Sequence, residues 1–258
     1  MAKPRVAFFD FSCCEGCQLT VSNCEDELLD LVSRVDIVNF REIMTERSDE
    51  YDIAFIEGTC TREEEIPRLE EIRRNARVVV ALGACAAIGG VNCLKNFHEL
   101  EDVRKEVYGD KAHYFPTFEA RPIDQVITVD HCLHGCPIDR GEFLHTVKSL
   151  LLGITPRIPD HPVCVECRMK ENVCLYTKGM QCLGPIARAG CGAICPEFGD
   201  GCVACRGMVD DPNIAYTLAV MNEHGLSYED ARHMMGMFLG YRTFQERIRK
   251  AENASLAR

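Results

Sequence analysis

Eight cysteines fall within the 42 residues from Cys164 to Cys205, in the order Cys164-x-x-Cys167, Cys174, Cys182, Cys191, Cys195-Pro196 and Cys202-x-x-Cys205, with six glycines among them. A stretch this irregular, with no long apolar run, is not expected to fold around a hydrophobic core alone, so bound metal is expected to hold it together. Eight thiols divide into two sets of four, and therefore into two sites. Zinc and iron-sulfur clusters both take four cysteines, and two C-x-x-C pairs can form a zinc site. Zinc ribbons usually separate their pairs by about 12 to 20 residues. Here the third and fourth cysteines of the first set come singly, at Cys174 and Cys182.

The compact spacing, with a proline after Cys195, resembles ferredoxin-type cluster loops without matching their usual C-x-x-C-x-x-C-x-x-x-C-P run. The whole chain carries 17 cysteines in 258 residues, an odd number that would leave one thiol over in a secreted disulfide framework. A net charge of −11 opposes a nucleic-acid or anionic-membrane surface, since both call for a basic face. No apolar run approaches the roughly 20 residues of a membrane helix. The start, Met1-Ala2-Lys3-Pro4-Arg5, leads into an apolar run too short and wrongly flanked for a signal peptide. These features predict a cytoplasmic protein that binds neither nucleic acid nor membrane.

Residues 1–155 alternate short apolar runs with helical patterns. Val6–Phe11, Val35–Phe40, Ile53–Ile56, Val78–Leu82 and Val126–Val129 read as strands. Between them, Glu25–Val32 and Thr61–Arg74 read as amphipathic helices, the latter opened by a capping-box pattern from Thr61 to Glu64. Such repeats predict an α/β domain with a parallel sheet covered on both faces. Three prolines between Pro156 and Pro162 forbid a continued helix and mark a linker, so residues 156–258 form a second, small irregular domain. Its tail reads as helices near Pro212–Glu223, Tyr228–Leu239 and Tyr241–Glu252.

Ligands of an open parallel sheet sit outside the carboxyl ends of its strands. Cys14 and Cys17 follow the first strand, Cys85 follows the strand ending at Leu82, and Cys136 follows the last strand, each with a glycine nearby. The C-x-x-C alone leaves redox dithiol, zinc and cluster open. Four thiols converging on one sheet edge favour a 4Fe-4S cluster.

Taken together, Cys14-Glu15-Gly16-Cys17-Gln18, Ile56-Glu57-Gly58, Gly83-Ala84-Cys85-Ala86, Gly135-Cys136-Pro137, Cys164-Val165-Glu166-Cys167 and the run from Cys182 through Gly184, Pro185 and Arg188 to Cys191 resemble the small subunit of NiFe hydrogenases over essentially the whole chain. The likeness is to the cytoplasmic group 3 enzymes, sulfhydrogenase delta subunits among them. It implies a flavodoxin-like first domain and three 4Fe-4S clusters: proximal on Cys14, Cys17, Cys85 and Cys136, medial on Cys191, Cys195, Cys202 and Cys205, and distal on Cys164, Cys167, Cys174 and Cys182. Cysteine stands at Cys164 and Cys195, where many periplasmic relatives have histidine and proline, so the medial cluster is implied to be 4Fe-4S. The proximal motif departs from its usual two prolines, with Pro137-Ile138 and an extra thiol at Cys132.

The resemblance further implies an electron relay between a NiFe-binding large subunit and a flavin/iron-sulfur diaphorase-type subunit serving NAD(P), or another acceptor such as polysulfide or a heterodisulfide-reductase partner. The NiFe ligand pattern itself is absent, because Met208 stands where large subunits place a histidine after Cys202-x-x-Cys205. An alternative is the electron-transfer subunit of a related complex whose large subunit lacks nickel; such relatives generally keep only the proximal cluster. Cys13, Cys24, Cys60, Cys93 and Cys132 fall outside the three sets and read as small buried hydrophobes. Glu57 and Glu15 read as capping or solvated acids, with proton transfer as the other reading. Met234, Met235 and Met237 read as packing, and His131 and His134 as tuning the cluster on Cys136 rather than binding it.

Overall fold

The computed structural model describes residues 3–241, 245–250 and 253. The chain forms two compact units, Met1–Arg157 and Ile158–Arg258. In the first, β1 (Arg5–Asp10), β2 (Asp36–Asn39), β3 (Ile53–Glu57), β4 (Val78–Leu82) and β5 (His131–Leu133) form one parallel sheet in the order β2-β1-β3-β4-β5. That is the flavodoxin-like order of doubly wound sheets. The helices are α1 (Gly16–Ser22), α2 (Glu25–Arg34), α3 (Glu65–Asn75), α4 (Gly83–Ile88), α5 (Leu100–Tyr108) and α6 (Arg140–Leu151).

Alternate side chains of a strand face opposite ways. On one face, Phe8 of β1 stacks on Phe40 at 4.4 Å and on Phe55 of β3 at 5.0 Å, and Phe55 meets Phe143 of α6 at 5.6 Å. On the other, Ala7, Phe9, Ala54, Ile56, Val79 and Ala81 pack with Leu69 and Ile72 of α3. Every residue of β3 is buried, as a strand covered on both faces requires. The last residues of four strands are in register, Asp10 with Glu57, Glu57 with Leu82, and Leu82 with Leu133.

Two local expectations change. The last strand lies at His131–Leu133 and not at Val126–Val129. Pro122 starts a 3-10 turn over Ile123–Gln125 that leaves Val126 still helical in backbone, so Val126, Ile127 and Val129 pack against the core from a loop. Pairing starts only at Asp130, whose N–H donates to Val79 O and whose Oδ2 accepts Val79 N–H. The capping box of α3 is also displaced by one residue: the Thr61 and Arg62 N–H groups donate to Glu65 Oε2 at 2.7 and 3.1 Å. Glu64 is exposed and paired with Arg62 instead.

The second unit contains α7 (Val163–Met169), α8 (Ile194–Glu197), α9 (Ile214–Glu223) and α10 (Tyr228–Leu239). Pro212 lies outside α9, which is capped by Asn213. Residues 245–250 are helical, and the rest of the expected third tail helix beyond Tyr241 falls outside the described residues. The cysteine-rich stretch contributes to a hydrophobic core that it shares with the tail helices. Val163, Tyr176, Leu183, Ile186 and Met208 pack with Ile214, Leu218, Met221, Met235 and Leu239 of α9 and α10. Its apolar residues come one at a time from loops, so no run betrays them, and the tail helices complete the cluster. Among the described residues no helix is long and apolar enough to cross a membrane.

Replacing Phe55, 1% exposed and in two ring contacts, with alanine removes the centre of one sheet face. Chemical denaturation of Phe55→Ala is expected to show a loss of about 3–5 kcal/mol. Leu29→Ala, at a side chain 69% exposed, is expected to stay within about 0.5 kcal/mol.

Candidate functional site

The in-register strand ends bring four cysteines of the first unit to one edge. Cys14 lies in the turn between β1 and α1, Cys17 in the first turn of α1, Cys85 in α4 directly after β4, and Cys136 just past β5. The Ala84 N–H donates to Gly135 O at 2.7 Å, which ties the loop after β4 to the loop after β5. Gly83 has a φ of 83°, and a Cβ there would run into the Cys17 sulfur, so only glycine serves. Burial pushes the Cys85 thiol up to about 12, and the neighbouring charges of Cys136, Cys14 and Glu57 add to it. Cys17 and Cys136 are raised too, by burial first; Glu57 and the other thiols add, while the Ile138 backbone partly offsets the rise at Cys17. Thiols held so high stay protonated at neutral pH unless a cation favours the thiolate. Iron supplies that charge, and a cluster takes four thiolates, so this donor set fits a 4Fe-4S group.

Glu57, at the end of β3, is 2% exposed. Its Oε1 accepts the Cys17 N–H at 3.2 Å and its Oε2 accepts the Gln18 N–H at 2.9 Å. It is therefore a buried cap on the first turn of α1, where backbone donors have no partner inside the helix. Glu15 pairs with Arg41, which also reaches Asp10 at 3.2 Å. Cys13 is half-buried, and its thiol is raised by burial, then by Glu57, Asp10, Cys85 and Cys14, so it lies beside this set. Cys24, Cys60 and Cys93 are fully buried, and Cys132 packs partly buried against the α3 face of the sheet. Met235 is in the core of the second unit, whereas Met237 is exposed.

In the second unit, Cys164, Cys167, Cys174 and Cys182 line one cavity of about 220 Å³ together with Tyr176 and Pro196. Burial pushes Cys164 up to about 12, with Cys182, Cys167 and Cys174 adding and Arg168 opposing. A Cβ on Gly184 would stand 3.2 Å from the Cys164 sulfur and 3.4 Å from that of Cys182. The other four cysteines are also neighbours. Cys202 is raised by burial, offset in part by the Ala204 backbone, and feels Cys182, Cys205 and Cys191, while Cys195 is raised by burial and feels Cys191.

Glu166, inside the Cys164–Cys167 pair, joins the two sets: its Oε1 accepts the Gly190 N–H at 2.8 Å and its Oε2 accepts the Ala193 N–H at 3.2 Å, on either side of Cys191. Sequence reasoning assigned Glu166 no role; the only signal was an acid enclosed by two candidate ligands. Arg206, 2% exposed, donates from Nε to Ala189 O at 2.7 Å and covers Gly190. Among the described residues no three Cys, His, Asp or Glu side chains could hold a single metal ion.

Residues 14–150 match the family described as NADH ubiquinone oxidoreductase, 20 Kd subunit. The chain is 32% identical over 221 residues to sulfhydrogenase 2 subunit delta of Pyrococcus furiosus, covering 85% of this chain and 92% of that one. It is 30% identical over 273 residues to a subunit of the F420-non-reducing hydrogenase vhu of Methanococcus voltae, covering 92% and 95%. Its fold aligns with a chain of an NAD+-reducing [NiFe]-hydrogenase in the H2-reduced state, with a TM-score of 0.56 and 30% identity over 61% of this chain and 96% of that one. This chain thus belongs to the NADH ubiquinone oxidoreductase 20 Kd subunit family, and its relatives along most of its length are hydrogenase subunits.

Proposed function

We propose that this chain is the electron-transfer small subunit of a cytoplasmic NiFe hydrogenase, relaying electrons between the NiFe site of a large subunit and a flavin/iron-sulfur NAD(P) subunit or another acceptor. Cys14, Cys17, Cys85 and Cys136 would hold the proximal cluster, Cys191, Cys195, Cys202 and Cys205 the medial, and Cys164, Cys167, Cys174 and Cys182 the distal. Each bound 4Fe-4S group would accept and pass on one electron at a time. The observation that carries the reading is the pair of thiol sets in the second unit. They lie beyond the family match at residues 14–150, in a region that the hydrogenase relatives share. A subunit of a nickel-free relative would need only the first set. Seventeen cysteines with no disulfide among them suit a reducing compartment, which supports the cytoplasm.

Three sets of four thiolates call for about twelve iron and about twelve acid-labile sulfide per chain. Metal analysis giving about four iron, with zinc at about one or two, removes both sites of the second unit and leaves only the first.

Iron removal should also loosen the loops between Cys164 and Cys205, whose fold is coupled to metal. Limited proteolysis is expected to cut there in the cluster-free chain and not in the loaded one. Equal resistance in both would show that the core with α9 and α10 suffices.

In the assembled enzyme, Cys136→Ser is expected to stop all hydrogen-linked turnover. Cys167→Ser is expected to block the physiological acceptor while hydrogen–deuterium exchange, which needs no long-range electron exit, survives. Equal loss of exchange in both variants, each assembled and nickel-loaded, would show that the assigned order of the relay is wrong.

A further inference from the structure

The two thiol sets of the second unit meet at a second contact besides Glu166. The Cys202 N–H donates to the Cys182 sulfur at 3.3 Å, and the Cys202 carbonyl accepts the Leu183 N–H at 2.8 Å. Segments 182–183 and 202 thus exchange a pair of hydrogen bonds as two strands do, except that Cys182 presents its sulfur where a strand presents a carbonyl. The Cys182 carbonyl is turned to the Tyr176 hydroxyl, which donates to it at 2.6 Å. No side chain fits at residue 201, because a Cβ on Gly201 would run into the Gln181 carbonyl oxygen, with Cys182 Cα at 3.6 Å. Leu183 is fully buried and Cys202 is 7% exposed, so the pair sits where water competes little for the donors.

We propose that the Cys202 N–H to Cys182 Sγ hydrogen bond is the coupling bridge between the two sites: it carries single electrons from one to the other and raises the reduction potential of the Cys182 site. The inference rests on the reading of Cys164–Cys205 as two cluster sites. From the Cys202 sulfur the path runs through its own Cβ, Cα and N–H to the Cys182 sulfur, covalent bonds followed by one hydrogen bond. On transfer, one site is oxidised by one electron and the other reduced by one. The proton stays on the Cys202 nitrogen, and no bond is made or broken. A thiolate sulfur gains negative charge when its site is reduced, so an N–H donor stabilises the reduced form more than the oxidised one. The Tyr176 hydroxyl and the bare Gly201 act as positioning residues, holding Cys182 against residue 202.

Two variants of the full chain in its complex test this: Gly201→Ala, which forces the segments apart, and Tyr176→Phe, which keeps the ring and frees the Cys182 carbonyl. Redox titration followed by electron paramagnetic resonance reads the potential of the Cys182 site, identified by its loss in Cys174→Ser, and rapid-freeze reduction reads electron exchange between the two sites. Gly201→Ala is expected to lower that potential and slow the exchange. Tyr176→Phe is expected to give a smaller shift in the same direction with full iron content. A Tyr176→Phe protein with wild-type potential and exchange overturns the proposal whatever Gly201→Ala does. Loss of iron from Tyr176→Phe overturns it as well, because the contact would then be a folding element. Iron for fewer than two clusters in the wild-type unit is a separate result, seen in metal analysis alone, and removes the underlying reading of the sites.

Discussion

Parallel pairing in register is the constraint on which the first unit depends. Asp10, Glu57, Leu82 and Leu133 are paired as neighbours along the carboxyl edge of the sheet, so the segments that follow all four strands begin on one line. In an antiparallel sheet those segments would leave from alternating edges. The cysteines at 14, 17, 85 and 136 are neighbours because of that edge. The aromatic stack of Phe8, Phe40, Phe55 and Phe143 on one face and the α3 contacts on the other hold the register, since a slip of one residue would turn each buried side chain to the wrong face.

At that edge the backbone does as much as the sulfurs. Glu57 gives both carboxylate oxygens to the amides of Cys17 and Gln18, and Gly135 O holds the Ala84 amide. Helix α1 and the loop after β5 are thus tied to the strand ends by hydrogen bonds from backbone amides. Burial, with Glu57 and the neighbouring thiols adding, raises Cys17, Cys85 and Cys136, so a bound cation is what would favour their thiolates.

The second unit solves a different problem. Its cysteines sit on short helices and the loops between them, and Val163, Tyr176, Leu183 and Ile186 find partners in α9 and α10. Glu166 and the Cys202–Cys182 contact then fasten one thiol set to the other. The two sets share one core and one hydrogen-bond network, so neither is an independent metal knot. Arg188 extends the same fastening, pairing with Asp160 at 2.7 Å and Asp210 at 2.6 Å.

The amino-acid sequence alone determined the alternation of strands and helices, the cysteine spacings and two tail helices, expected near Pro212–Glu223 and Tyr228–Leu239 and found at Ile214–Glu223 and Tyr228–Leu239. These depend on local periodicity and on which residues sit next to which. The sequence could not place the last strand, because Val126–Val129 has the composition of a strand and only the preceding 3-10 turn and the Asp130–Val79 pairing move it to His131. It did not tell capping from proton transfer at Glu57, which turned on two amides 39 and 40 residues away in the chain. It missed the core of the second unit, whose members are scattered singly between Val163 and Leu239. Nor did it reveal that Cys202 and Cys182 touch. Contacts between residues far apart in sequence leave no period in it, and only the folded backbone decides which of them meet.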